Sequence, residues 1–236
     1  MKEKLKKLFY IILRFYIPDC IKGHTFFLKK IDDNSLIIDL GSNQGEFQTI
    51  FLSKKKNIYF SSIEFDEKFK KKENLQNNFS LRRVLSGHDG LEGIYLAQNK
   101  TNPEYFGKVW SIIEDKDWEI IKKKEEKSIS LKSFLNMAKK NFNKRNISLI
   151  KLDVEGAEIK AINSLSDEDF EGIDQITLEF HDFMFKSLKQ ETEDLIALLK
   201  TKSFYFFDFS LNEKRRDLLF IKKNKLNFFE KNLCNL

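Results

Sequence analysis

The segment LIKLDVEGAE (149–158) crowds Lys151, Asp153, Glu155 and Glu158 around a single Gly156, directly after an apolar run. Charges at the end of a buried strand must be paired or used, because an unpaired buried ion is strongly unfavourable. A second polar group lies in LEFHD (178–182), where Glu179 and His181 stand two residues apart. Asp153 and Glu155 have the same spacing, and residues i and i+2 of a strand share a face. If both strands run through these positions, Asp153, Glu155, Glu179 and His181 converge on one spot. Three roles suit an imidazole there. His181 can act as a general base, which is the leading reading. Asp153, Glu179 and His181 can hold a divalent cation such as Mg or Mn, since hard oxygen ligands plus one imidazole suit these ions. Or the group is a structural network, with His181 hydrogen-bonded. Lys151, two residues before Asp153 and on its face, is expected to pair with a carboxylate. Glu158 falls in the first turn of a helix beginning near Glu155, where a negative charge favours the helix dipole. His24 and His88 are isolated in sequence and receive no role.

A second constellation is IIDLGSNQGEF (37–47). A strand ends in acidic Asp39, Gly41 and Gly45 bracket a tight loop, and a helix follows. Ligands of open α/β sheets bind where strands end, and glycines there let the backbone come close to them. The spacing is neither G-x-G-x-x-G nor a phosphate loop, since no Gly-Lys-Ser/Thr follows. Glu64 ends the next strand in SSIEFD, 23 residues after Gly41, a place where carboxylates pair with ribose hydroxyls.

The elements that position these groups alternate. Strands are expected at Asn34–Leu40, Ile58–Ile63, Ser80–Leu85, Leu91–Ala97, Ile147–Leu152, Gln175–Phe180, Ser203–Phe209 and Asp217–Lys222. Helices are expected at Glu46–Leu52, Asp66–Lys72, Leu131–Lys140, Ala157–Leu165 and Lys186–Leu199. Such alternation specifies an α/β fold, doubly wound around a mostly parallel, Rossmann-like sheet. The last two strands have no helix between them and should pair antiparallel at one edge. Residues 98–128, with Trp110 and Trp118, fit this rhythm least and are a candidate substrate-facing insertion.

Taken together, IIDLGSNQGEF, IEFD, VLSGHDG, SISLKSFL, LIKLDVEGAEIKAI and ITLEFH resemble, in order and spacing over about residues 34–222, the FkbM family of S-adenosylmethionine-dependent methyltransferases. The Lys-x-Asp-x-Glu-Gly-x-Glu core is the specific part. The resemblance implies a seven-stranded methyltransferase sheet. Asp39, Gly41, Ser42, Asn43 and Gly45 would surround the methionine part of the cofactor, and Glu64 would hold the ribose. Ser86 would lie near the adenine, and Asp153 near the sulfonium. It also implies transfer of a methyl group to a hydroxyl oxygen, often on a sugar or natural-product scaffold. The run Ser86-Gly87-His88 departs from the family pattern, which often has an Ala-Val-Ser-Asp-like run there.

Composition narrows the partners. Of 42 basic residues 36 are Lys and only 6 Arg, and the net charge is +6. Nucleic-acid readers lean on Arg forks, and Lys runs such as Lys54–Lys56 suit solvated faces. The carboxylates of LDVEGAE would repel phosphates, and the segment lacks the Pro-Pro-aromatic motif of base-methylating enzymes. A small-molecule or glycan acceptor is therefore expected, not nucleic acid. A fold relic that binds without catalysis is the rival reading. Two cysteines, Cys20 and Cys234, make no metal or disulfide pattern and suit a reducing cytoplasm. The expected organisation is a helical extension (1–33), a methyltransferase domain (34–225) and a tail (226–236). In the extension Leu5, Leu8, Ile12 and Tyr16 recur at helical spacing. Its apolar run is too short to cross a bilayer, and it packs on its own domain or makes a weak basic contact with a membrane surface.

Overall fold

Successive residues of the central strands enter two different cores. Leu36, Ile38 and Leu40 pack on one side and Ile37 on the other, and Ile150 and Leu152 part from Leu149 in the same way. Both faces of the sheet are covered, which is why these strands read as unbroken apolar runs. The structure, a computed structural model, describes residues 18–66, 68, 77–210 and 217–233. The helical spacing of Leu5 to Tyr16, most of Asp66–Lys72 and Cys234 lie outside the described residues.

The described chain begins with a hairpin, β1 (Asp19–Ile21) and β2 (His24–Phe26). It continues through β3 (Ser35–Leu40), helix α1 (Glu46–Lys54), β4 (Ile58–Ile63) and β5 (Asn78–Leu81). Then come β6 (Val84–Ser86), β7 (Gly90–Asn99), the short α2 (Pro103–Phe106), β8 (Lys108–Ser111) and β9 (Trp118–Ser130). The second half holds α3 (Leu131–Asn141), β10 (Leu149–Leu152), α4 (Glu158–Asn163), α5 (Asp167–Glu171) and β11 (Gln175–Leu178). It closes with α6 (Lys189–Thr201), β12 (Phe204–Asp208), β13 (Leu218–Lys222) and α7 (Phe228–Leu233).

Seven strands form the main sheet in the order β12-β13-β11-β10-β3-β4-β5. From β11 to β5 all pairs are parallel, whereas β13 runs antiparallel to both β11 and β12. The expected reversed strand therefore exists, but it sits one place in from the edge. Burial explains this: LLFIK of β13 is buried throughout, while FYFFD of β12 is partly exposed and suits the rim.

Two expectations need correction. The single strand Ser80–Leu85 is broken at Arg82-Arg83, and β6 leaves the main sheet for a second sheet of order β6-β9-β7-β8. Residues 98–128 belong mostly to that second sheet. Residues 18–33 hold the hairpin and a single 3-10 turn, Leu28–Lys30, in place of helix. Lys22 (φ +54°) and Gly23 (φ +78°) form the left-handed pair that tight hairpins require. The segment after 226 carries α7, whose Glu230 meets Lys30 at 2.8 Å. Among the described residues no helix is long and apolar enough to cross a membrane.

Candidate active site

A cavity of about 530 Å³ opens where β3, β4 and β10 end. Gly41, Ser42, Asn43 and Glu64 line one part of it, Asp153 and Glu155 another. The second sheet closes the far side through Lys108–Ile112. Part of the hard-to-read stretch 98–128 is thus a wall of the site.

The glycine loop is held by backbone geometry. The N–H groups of Gly41 and Ser42 both donate to the Ile63 carbonyl at 3.1 Å, and that of Gly45 to the Ser42 carbonyl at 2.8 Å. A Cβ on Gly41 (φ +71°) would lie 1.7 Å from the Asp153 carbonyl oxygen. This glycine therefore lets two strand ends approach each other, which differs from the expected approach to a ligand. At Gly45 (φ +77°) a Cβ would meet nothing, so only its left-handed conformation calls for glycine. Glu64 accepts the Asn43 N–H at 2.9 Å on one oxygen and the Asp66 N–H at 2.9 Å on the other. Burial pushes its carboxyl up, against these donors. The Ser42 hydroxyl is buried in the cavity wall with no partner among the described residues.

The second part is held by charge. Lys151 lies beside Asp39 in the parallel β10–β3 register. Its Nζ stands 3.6 Å from Asp39 Oδ1 and 3.6 Å from Asp153 Oδ2, and donates to the carbonyls of Leu40 (3.2 Å) and Gly41 (2.7 Å). The expected pairing of Lys151 is thus present, and it is double. Burial works against the ammonium, but Asp153 and Asp39 outweigh it and raise its pKa. Fully buried Asp39 also accepts from Gln48 Nε2 at 2.7 Å. Burial likewise pushes Asp153 up, yet Lys151, His24 and His181 hold it well below the usual carboxylate range.

His181 is enclosed by carboxylates. Its Nδ1 donates to Glu158 Oε1 at 2.8 Å, and its Nε2 faces Glu155 Oε2 at 3.2 Å and Asp153 Oδ1 at 3.7 Å. Burial opposes the charge, but Glu158, Glu155 and Asp153 push its pKa up to about 10. At neutral pH the ring keeps its proton and has no lone pair to accept another. In this setting it is a cation that anchors carboxylates, the structural-network role, and this charge weighs against its service as a base. β11 stops at Leu178, so Glu179 and His181 do not share a strand face. They still converge with Asp153: ligand atoms of Asp153, Glu179 and His181 lie within 4.8 Å of one another. The Glu179 N–H donates to the Leu152 carbonyl at 3.1 Å, and a turn on the His181 carbonyl follows. Glu158 does more than favour a helix start. It is buried and accepts the N–H groups of Val154 (3.0 Å) and Gly156 (3.1 Å) besides His181.

Glu155 has φ +52°, a left-handed conformation that costs a non-glycine residue about 1–2 kcal/mol. The Ser111 hydroxyl, from the second sheet, donates to its carbonyl at 2.5 Å. Burial pushes its carboxyl up, opposed by His181. Of the residues expected at the cofactor, Asp39, Gly45 and Ser86 do not line the cavity. Ser86 is buried at the end of β6 and bonded to Glu92, while its β6 neighbours Val84 and Leu85 do line it. His24, given no role from sequence, lines the cavity with Nε2 3.6 Å from Asp153 Oδ2.

The sequence profile of the methyltransferase FkbM domain matches residues 39–207. The chain belongs to this family. The match runs from Asp39 in the glycine-loop strand to Phe207 in β12, and so contains every site residue above except His24. No curated protein sequence matches the chain. Solved structures similar to it include the fibrillarin pre-rRNA processing protein of Methanococcus jannaschii, at 10% identity, 87% of this chain, 70% of that chain and TM-score 0.46. Another is the human methyltransferase 10 domain containing protein (10% identity, 81% and 72% covered, TM-score 0.43). TrmK of M. capricolum, in complex with S-adenosyl-homocysteine, is similar at 13% identity, 87% and 71% coverage and TM-score 0.38.

Proposed function

We propose that this family member transfers a methyl group from S-adenosylmethionine to a hydroxyl oxygen of a sugar, a polysaccharide precursor or a similar small molecule. The observation that carries the reading is the charge balance at the end of β10. Five carboxylates, on Asp39, Asp153, Glu155, Glu158 and Glu179, stand around two cations, Lys151 and protonated His181. A surplus of this kind at the end of β10 attracts a further cation, a sulfonium is one, and Asp153 and Glu155 present it to the cavity. The unpartnered Ser42 hydroxyl and the Glu64 carboxylate suit the cofactor's polar ends.

When bound, S-adenosylmethionine supplies an activated methyl group, whose transfer to a hydroxyl oxygen leaves a neutral thioether and one proton. The chain's own contribution is alignment and the removal of that proton. Glu155 is the residue for the proton: it faces the cavity, and burial makes it more basic than an ordinary carboxylate. His181 steadies it at 3.2 Å. Asp153, held ionised, supplies negative charge at the reacting end.

Calorimetry with S-adenosylmethionine and S-adenosylhomocysteine tests the cofactor. Binding of both is expected, and binding of neither sinks the reading. Transfer of a labelled methyl group to hydroxylated sugars, with RNA and DNA run alongside, tests the acceptor. Cofactor binding with no transfer to any acceptor would favour a binding protein. A divalent cation at Asp153, Glu179 and His181 is the second reading, resting on their 4.8 Å clustering. These atoms would hold a Mg or Mn ion if His181 gave up its proton. Activity that survives EDTA removes that reading.

A further inference from the structure

The hairpin β1–β2 lies outside the family-matched residues 39–207, yet it reaches the cavity. It is pinned there at three points. The Phe27 N–H donates to Gln175 Oε1 at 2.8 Å, and Gln175 Nε2 donates back to the Phe27 carbonyl at 3.2 Å. Asp217 accepts the Thr25 N–H at 2.8 Å and the Thr25 hydroxyl. Phe26 stacks on Phe51 at 5.5 Å and meets Phe47 edge-on at 5.9 Å.

What this placement delivers to the cavity is His24. Its side chain is 3% exposed, Nε2 is 3.6 Å from Asp153 Oδ2, and Nδ1 has no partner among the described residues. A buried N–H without an acceptor is rarer and costlier than a buried lone pair without a donor. The proton of a neutral ring therefore belongs on Nε2, pointing at Asp153.

We infer that His24 is a positioning residue of the methyl-transfer site. Its Nε2–H steers the Asp153 carboxylate to the sulfonium end of the cavity, and the segment ahead of the matched domain thereby completes the site. The inference rests on the cofactor reading above. Asp153 is gripped from three elements: Lys151 at 3.6 Å from its own strand, His181 at 3.7 Å from the turn after β11, and His24 at 3.6 Å from the hairpin. Lys151 and His181 have other carboxylates to hold. Asp153 is the one carboxylate recorded within ion-pair distance of His24 among the described residues.

The test compares a sulfonium with its neutral product on the full chain. His24→Phe keeps a ring against Phe47, now 6.2 Å away, but removes the donor. Calorimetry should show S-adenosylmethionine bound at least fivefold more weakly, with S-adenosylhomocysteine within twofold of wild type. His24→Gln, which keeps a donor, should restore both to within twofold. An unchanged affinity for S-adenosylmethionine in His24→Phe, equal weakening of both ligands, or no restoration by His24→Gln overturns the inference. A readout on the wild type does not depend on any variant folding. S-adenosylmethionine should shift the ¹⁵N resonance of His24 Nε2 and S-adenosylhomocysteine should not; a resonance moved by neither overturns the inference. Wild-type protein that binds neither ligand overturns the cofactor reading, and this inference with it.

Discussion

The two sides of the cavity are built in opposite ways. On the glycine-loop side, one continuous segment, Asp39 to Gly45, is tied to β4 by backbone donors and by Glu64. On the carboxylate side, Lys151, Asp153, Glu155, Glu158, Glu179, His181 and His24 come from three separate stretches of chain and are held by charge. Backbone hydrogen bonds and the Glu64 carboxylate fix the first side. The second is a set of compensated charges, strong only while each has its partner. Substitution should therefore expose steric limits on one side and charge balance on the other.

Gly41→Ala should have the largest effect. Its Cβ would overlap the Asp153 carbonyl at 1.7 Å, and relief requires β3 and β10 to part. A loss of about 5 kcal/mol or more is expected in chemical denaturation, at the extreme of single substitutions. Gly45→Ala has the same sign of φ but open space around it, and should cost only about 1–2 kcal/mol, the left-handed penalty. Equal losses at the two positions would break the steric account of this side.

Lys151→Met probes the other side. It leaves Asp39 buried with its Oδ1 unmatched, and a loss of about 3–5 kcal/mol is expected from denaturation midpoints. Lys151→Met,Asp39→Asn should recover much of it, since the buried charge goes with its partner. A pH series sharpens the point. His181 is raised from its ordinary 6.5 to about 10. A raised pKa means that the folded state binds the proton more tightly. The stabilisation is therefore complete below about 6.5 and is lost as pH climbs through about 10. The stability difference between wild type and His181→Gln should be flat in acid and shrink over that window. A difference that instead grows with pH would mean that His181 is neutral in the fold.

How much of this could be read from sequence follows the same division. IIDLGSNQGEF signals its loop locally, because strand, acid, glycines and helix are consecutive. Lys151 and Asp153 could be placed on one face by the period of two alone, whereas the match of Lys151 with Asp39 needs the register between β10 and β3. His24 could not be found, since nothing near residue 24 refers to residue 153. The local trace is Lys22-Gly23 ahead of an aromatic pair, a tight-turn signal that places the hairpin but not its neighbour across the fold. The convergence of Glu179 and His181 was expected for a reason that does not hold: a turn brings them in after β11 ends. The second sheet stayed hidden because β9, WEIIKKKEEKSIS, carries lysines and glutamates on both faces and shows no apolar alternation.

The smallest expected effect falls on the boundary between legible and illegible. Ser42 follows the end of β3 and Ser86 closes β6, and both resemble cofactor contacts. Ser42 lines the cavity with its hydroxyl unpartnered, whereas Ser86 is engaged with Glu92 in another sheet. Ser42→Ala should weaken S-adenosylhomocysteine binding by roughly tenfold, the worth of one hydrogen bond of about 1.4 kcal/mol. Ser86→Ala should leave the affinity within about twofold and act instead on stability, by about 1–3 kcal/mol, through Glu92 left without its donor. Calorimetry and thermal unfolding on the two variants separate these effects. If Ser86→Ala were the weaker binder, the adenine would reach past Val84 and Leu85 of the cavity wall to the end of β6. If the effects fall as expected, the chain's departure from the family pattern at Ser86-Gly87-His88 is a structural change that moves this serine out of the site.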